Sequence, residues 1–97
     1  MKSQAAVVVR LKILMKLKGI NPNALANNAG VPISTLRNIL NGNSHGTQIP
    51  TINALCDGLG ISLRDFFNDP IFGDLDQEIE RKNETFLLLK TVRKVKS

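Results

Sequence analysis

Three features of this chain together predict an all-α fold. Apolar residues recur three and four apart over most of residues 7 to 67, the spacing of one buried helix face. Glycines close the periodic runs at Gly19, Gly30, Gly42 and Gly60, where a helix can stop in the left-handed conformation. The packing material is aliphatic: 42% of residues are hydrophobic, yet only 4% are aromatic and there is no Trp or Tyr. At 97 residues the chain is read as one small domain, large enough for a modest core without disulfides or metal. Residues 1–69 form the expected five-helix domain and residues 70–97 a C-terminal extension.

The first helix is predicted from about Gln4 to Lys18, with Gly19 as its stop. Val7, Val8, Leu11, Leu14 and Met15 make the stripe to be buried, while Ala6, Val9, Ile13 and Leu17 make a second stripe on nearly the opposite side. A helix apolar on two faces is normally covered on both, so a further element or a second subunit is expected on Val9, Ile13 and Leu17. Asn21 is a good N-cap and Pro22 a good first residue, since the first turn leaves its N–H unpaired anyway, so the second helix runs from Pro22 to Ala29 and ends at Gly30. The third opens at Pro32 and continues to Asn41, with Leu36 and Ile39 inward and Gly42 just past its end. A Gly, Asn and Ser-rich loop, Asn43 to Ile49, leads to a fourth helix over Thr51 to Gly58, with Ile52, Leu55, Cys56 and Leu59 inward. Ser62 opens the fifth with capping-box spacing to Asp65, and Leu63, Phe66 and Phe67 close the core before Asn68-Asp69-Pro70 ends the domain. In the extension, helical spacing puts Leu75, Ile79, Phe86 and Leu89 on one face and Leu88, Val92 and Val95 on another. The run from Thr85 to Val92 is β-prone as well, which leaves a strand open for residues 85–96.

The third helix is where function shows. Turned outward on it are Ile33, Ser34, Arg37, Asn38 and Asn41, a set with one cation, two amides, a hydroxyl and a methyl-rich tip. Each suits the edge of a DNA base: Asn pairs with adenine N6 and N7, Arg forks onto guanine O6 and N7, and an apolar tip meets a thymine methyl. No carboxylate is present to repel phosphate. Charge is divided along the chain in the same sense. Lys2, Arg10, Lys12, Lys16, Lys18 and Arg37 precede any acid, acids begin only at Asp57, and the net charge is +5. An acid-free half that contains the candidate reading helix is what a phosphate-facing surface requires.

These residues resemble the Cro and phage-repressor type of helix-turn-helix, the Xre family. The likeness is carried by Leu25-Ala26, Ala29-Gly30-Val31, Ser34-Thr35-Leu36, Ile39 and Gly42, with Lys18-Gly19-Ile20 before them. After them come Pro50-Thr51-Ile52, Leu55, Leu59-Gly60-Ile61-Ser62-Leu63 and Phe66-Phe67, so that it spans about Val8 to Phe67. The resemblance implies a Cro/repressor-like fold and a regulator of transcription that binds double-stranded DNA, in the manner of a repressor occupying an operator as a homodimer. It implies base reading by Ile33, Ser34, Arg37 and Asn38. The chain departs from the family pattern at Pro22 and Pro32, where a phosphate-touching Gln and an entering Ser or Thr are usual. Contacts to the DNA backbone are therefore expected from Asn21, Asn23, Thr35 and Asn41, and, on charge alone, from Lys12 and Lys16. The loop after Gly42 is longer than the family's usual link and is expected near the DNA backbone.

Other classes find less support. The chain has no Cys/His ligand cluster, no nucleophile elbow and no Gly-rich phosphate loop, so neither an enzyme nor a metal or other cofactor is expected. His45, with no carboxylate or second ligand beside it, reads as an ordinary loop residue. Cys56 is single and reads as a buried thiol, in keeping with a reducing cytoplasm. The short Ala-Ala-Val-Val-Val run is followed by Arg10, Lys12, Lys16 and Lys18, so neither a signal peptide nor a membrane span is expected. The alternative function from a different class is an antitoxin-like module that also binds DNA and takes a protein partner through its C-terminal extension.

Overall fold

A computed structural model describes residues 1–75; the readings of Ile79, Phe86, Leu88, Leu89, Val92 and Val95, and of helix against strand for 85–96, lie outside the described residues. Within them the order is α1 (Ser3–Lys18), α2 (Pro22–Ala29), α3 (Ile33–Leu40), α4 (Ile49–Leu59), α5 (Leu63–Phe67) and a single 3-10 turn, Pro70–Gly73. The described residues are thus all-helical, as expected.

Local signals account for most of the boundaries. The Asn21 side chain accepts a hydrogen bond from the Ala24 N–H at 2.8 Å, and Pro22 occupies the first turn of α2. At its other end Gly30 adopts φ +68°, which lets the Val31 N–H reach back to the Ala26 carbonyl at 3.0 Å. Ser62 caps α5 by accepting from the Asp65 N–H at 3.0 Å. Three starts differ from the sequence expectation, the first being α1, which begins at Ser3, one residue before Gln4. α3 begins at Ile33, with Pro32 outside as its cap residue, and its ring leaves that cap without a side-chain acceptor. α4 begins at Ile49, two residues before Thr51, because Pro50 is tolerated in a first turn, and it runs on through Gly58 to Leu59.

One core joins all five helices: Val7, Leu11, Leu14 and Met15 of α1; Leu25 and Ala26 of α2; Leu36 and Ile39 of α3; Ile52, Leu55, Cys56 and Leu59 of α4; and Phe66 of α5. The most extensive helix pair is α2 with α4, and Gly58 makes it close. A Cβ at that position would stand 3.0 Å from the Cβ and N of Ala29 and from Cδ1 of Leu25. Gly58 is therefore a packing residue inside α4, where the sequence reading had placed the helix end.

Two other residues differ from their sequence assignment. Ala6, assigned to the outer stripe of α1, is fully buried, and among the described residues only Ile13 and Leu17 of that stripe are exposed, at 42% and 75%, with Val9 half-buried. Arg10, counted with the basic surface, is instead a staple. Its Nε and Nη2 donate to the carbonyls of Phe66 and Asp65 at 2.8 and 2.9 Å, and its Nη1 pairs with Asp69 Oδ2 at 3.1 Å. With its side chain only 12% exposed, Arg10 ties α1 to the end of α5 and is not available to phosphate. Packing continues past Asp69. Its carboxylate accepts from the Ile71 N–H, and the Phe72 ring lies 4.9 and 5.9 Å from those of Phe67 and Phe66.

Candidate nucleic-acid interface

The phase of α3 follows from its two buried residues. Leu36 and Ile39, three apart, are 0% and 2% exposed and anchor one side against the core, which turns Ser34, Arg37 and Asn38 to the other side, all exposed. Thr35 is exposed on the flank and Asn41, exposed, caps the helix. Ile33 does not belong with them in full: it is half-buried and packs against the core. What stands clear is a hydroxyl, a guanidinium and an amide, a compact set of donors and acceptors on one short helix.

The backbone-contact candidates fall into two groups. Asn21 and Asn23 are exposed in and just before the first turn of α2, and the Asn21 oxygen is held by its capping bond, which leaves its NH2 to donate. Lys12 and Lys16 are exposed on α1, four residues apart on one face. No acidic residue occurs on α1, α2, α3 or the loop that follows. These elements thus carry no negative side chain, the composition that tolerates a polyanion.

Beside α3 runs an open groove of about 370 Å³, lined by Thr35, Asn38 and Ile39 on one side and by Asn43, Ser44, Gly46, Thr47, Gln48 and Thr51 on the other. Its far wall is the loop between α3 and α4. That loop is tied at both ends: the Asn43 N–H bonds the Asn38 carbonyl at 3.0 Å, and Thr47 makes a reciprocal pair with Gln4 of α1. The Gln4 carboxamide donates to Thr47 Oγ1 at 2.8 Å and accepts from the Thr47 N–H at 2.7 Å. Sequence reasoning missed this clamp. Gln4 and Thr47 are 43 residues apart, and no local pattern pairs them. His45 is exposed on the loop.

Burial pushes the Cys56 thiol up to about 11, with the neighbouring Asp57 charge adding to the shift and Arg10 opposing it, so the group stays protonated and unreactive at neutral pH. Among the described residues no three of His, Cys, Asp and Glu come together to hold a metal ion, and no helix is long and apolar enough to cross a membrane. The Cro/C1-type HTH DNA-binding domain family matches residues 10–70 of the chain, from the staple arginine to the start of the 3-10 turn. Comparison with curated proteins and with solved structures finds no match.

Proposed function

The chain belongs to the Cro/C1-type helix-turn-helix DNA-binding family, and from that premise we propose that it represses transcription by occupying an operator as a homodimer. The observation that carries this reading is the outward face of α3, where Ser34, Arg37 and Asn38 stand exposed over a core-anchored helix with no carboxylate among them. In this reading Asn38 and Arg37 make the bidentate base contacts, Ser34 adds a hydroxyl, and Ile33 offers only its exposed edge to a thymine methyl. Asn21, Asn23, Thr35, Asn41, Lys12 and Lys16 hold the flanking phosphates and set the register of the helix in the major groove.

Dimerisation follows from selectivity. One recognition helix reads only a few base pairs, and proteins of this type gain specificity from two half-sites about 34 Å, one helical turn, apart. Ile13 and Leu17 on the back of α1 offer an apolar surface for pairing, and the sequence of the extension supplies Leu88, Val92 and Val95 to meet it. Deleting Thr85 to Ser97 is expected to leave a helical monomer that has lost most of its operator affinity. In sedimentation, a full-length monomer at micromolar concentration or a truncated dimer would rule this interface out.

The test of the function itself is binding of the purified protein to fragmented genomic DNA, followed by sequencing of what is retained. A shared motif with two-fold symmetry is the expected result. Retention without any common sequence would leave DNA binding but remove the operator.

A further inference from the structure

Gln4 stands in the first turn of α1, 43 residues before Thr47, yet it is the residue that sets the position of the loop beside the reading helix. Its reciprocal pair with Thr47, at 2.8 and 2.7 Å, uses both ends of its carboxamide on one residue, and both residues are half-buried. Thr47 is the shared wall between two hollows: on one side the groove along Thr35 and Asn38, on the other a smaller recess that Gln4 itself lines with Val7 and Ile52. Pinning Thr47 therefore fixes the width of the groove.

In the DNA-binding reading above the loop after α3 lies against the sugar-phosphate strand that borders the major groove, and we propose that Gln4 is a positioning residue for that contact, acting through Thr47. The proposal rests on the DNA-binding reading above. Three features of the site favour a phosphodiester strand. The groove contains no carboxylate. Its far wall offers neutral donors from Asn43, Thr47 and Gln48, the types that hold phosphate oxygens without reading sequence, while the Ser44 hydroxyl donates to the Gly46 carbonyl at 3.4 Å. The Thr47 hydroxyl, which accepts from Gln4, keeps its own proton to donate. A loop rich in Gly, Asn and Ser would otherwise lose its conformational freedom on meeting DNA, and holding it in place beforehand removes that loss from the binding step.

The test compares wild type, Gln4→Ala, Thr47→Val and Thr47→Ser by titration with a short mixed-sequence DNA duplex, since a backbone contact is indifferent to sequence. The backbone amide NMR signals of residues 43–48 are followed in the same titrations. Gln4→Ala is expected to weaken binding about three- to tenfold, the effect of one or two neutral hydrogen bonds, with the salt slope unchanged because no cation is lost. Thr47→Val keeps the N–H bond to Gln4 and so safeguards folding, but gives up both the Gln4 bond at Oγ1 and the hydroxyl's own donation, and should show a comparable loss, whereas Thr47→Ser should bind as wild type does. In wild type the amides of Ser44 to Gln48 should shift on adding duplex. The inference is overturned if Gln4→Ala binds as wild type, if Thr47→Ser loses as much as Gln4→Ala, or if the loop amides do not move while those of α3 do. A wild type that fails to bind duplex at all takes the DNA-binding reading down with it, and that arm is read separately.

Discussion

Gly58→Ala puts the tightest contact of the fold to the test. In an isolated helix the change would stabilise by about 1 kcal/mol, because glycine loses more backbone freedom than alanine on becoming helical. Here the added methyl would meet Ala29 Cβ, Ala29 N and Leu25 Cδ1, each at 3.0 Å. The first two atoms belong to or adjoin the backbone of α2 and cannot rotate away. The third ends a leucine that is fully buried among other core residues, so it has little room to move. Relief requires α2 and α4 to separate by a few tenths of an ångström, and overpacking of this kind costs about 1–3 kcal/mol. The steric cost exceeds the helical gain, and we expect a net loss of about 1 kcal/mol, which lowers the thermal midpoint by about 4–8 °C in a domain of this size. Far-UV circular dichroism during heating measures it. Ala29→Gly removes one of the three contacts, so the double variant should lose less than the sum of the two single changes. A Gly58→Ala protein as stable as wild type, or more so, would refute the reasoning and show that the α2–α4 contact yields.

Four further outcomes follow from other residues. Arg10→Met removes a staple whose side chain is nearly buried, leaving two carbonyls and Asp69 without that partner, and should cost about 2–4 kcal/mol in chemical denaturation. Asn38→Ala and Arg37→Ala should each cost roughly 1–3 kcal/mol of operator binding with the thermal midpoint almost unchanged, because neither side chain belongs to the core. Operator affinity should fall at least about tenfold between 50 and 200 mM salt, the response to displaced counterions when even two lysines or arginines meet phosphate; a flat response would contradict the phosphate-facing surface. The Cys56 thiol is raised from 9.0 to about 11 by burial, so above pH 9 the unfolded chain ionises and the native one does not. Stability is thus fully present below pH 9 and falls as pH rises toward 11, by about 2–3 kcal/mol, a component that denaturation of Cys56→Ala should lack.

These magnitudes bear on function through geometry. α2 and α3 are successive helices joined by the turn at Gly30, so a displacement of α2 by an overfilled contact with α4 is passed to the helix that carries Ser34, Arg37 and Asn38. A small residue at position 58 keeps α2 seated and with it the angle at which α3 leaves the domain. Gly58→Ala should therefore weaken DNA binding as well as stability, whereas Asn38→Ala should weaken binding alone.

The sequence by itself determined the elements and the face that matters. Asn21 with Pro22, Gly30 at φ +68°, Gly60 at φ +74° and Ser62 before Asp65 act within three to five residues of themselves, so their consequences can be read along the chain. The phase of α3 was legible for the same reason, since Leu36 and Ile39 lie one turn apart and settle which side Arg37 and Asn38 occupy. Tertiary structure decided the residues whose partners are distant in the chain. Arg10 is indistinguishable from a surface cation until α5 and the Asp69 that follows it arrive 55 to 59 residues later to take its hydrogen bonds. Ala6 reads as part of an outer stripe until the fold covers it, Gly58 as a helix end until Ala29 stands against it, and Gln4 as an ordinary first-turn residue until Thr47 closes on it. The physical reason is common to all four. A cap or a turn is satisfied by the backbone next to it, whereas burial, close approach and long-range pairing depend on which helix comes to rest alongside, and no short stretch of sequence contains both partners.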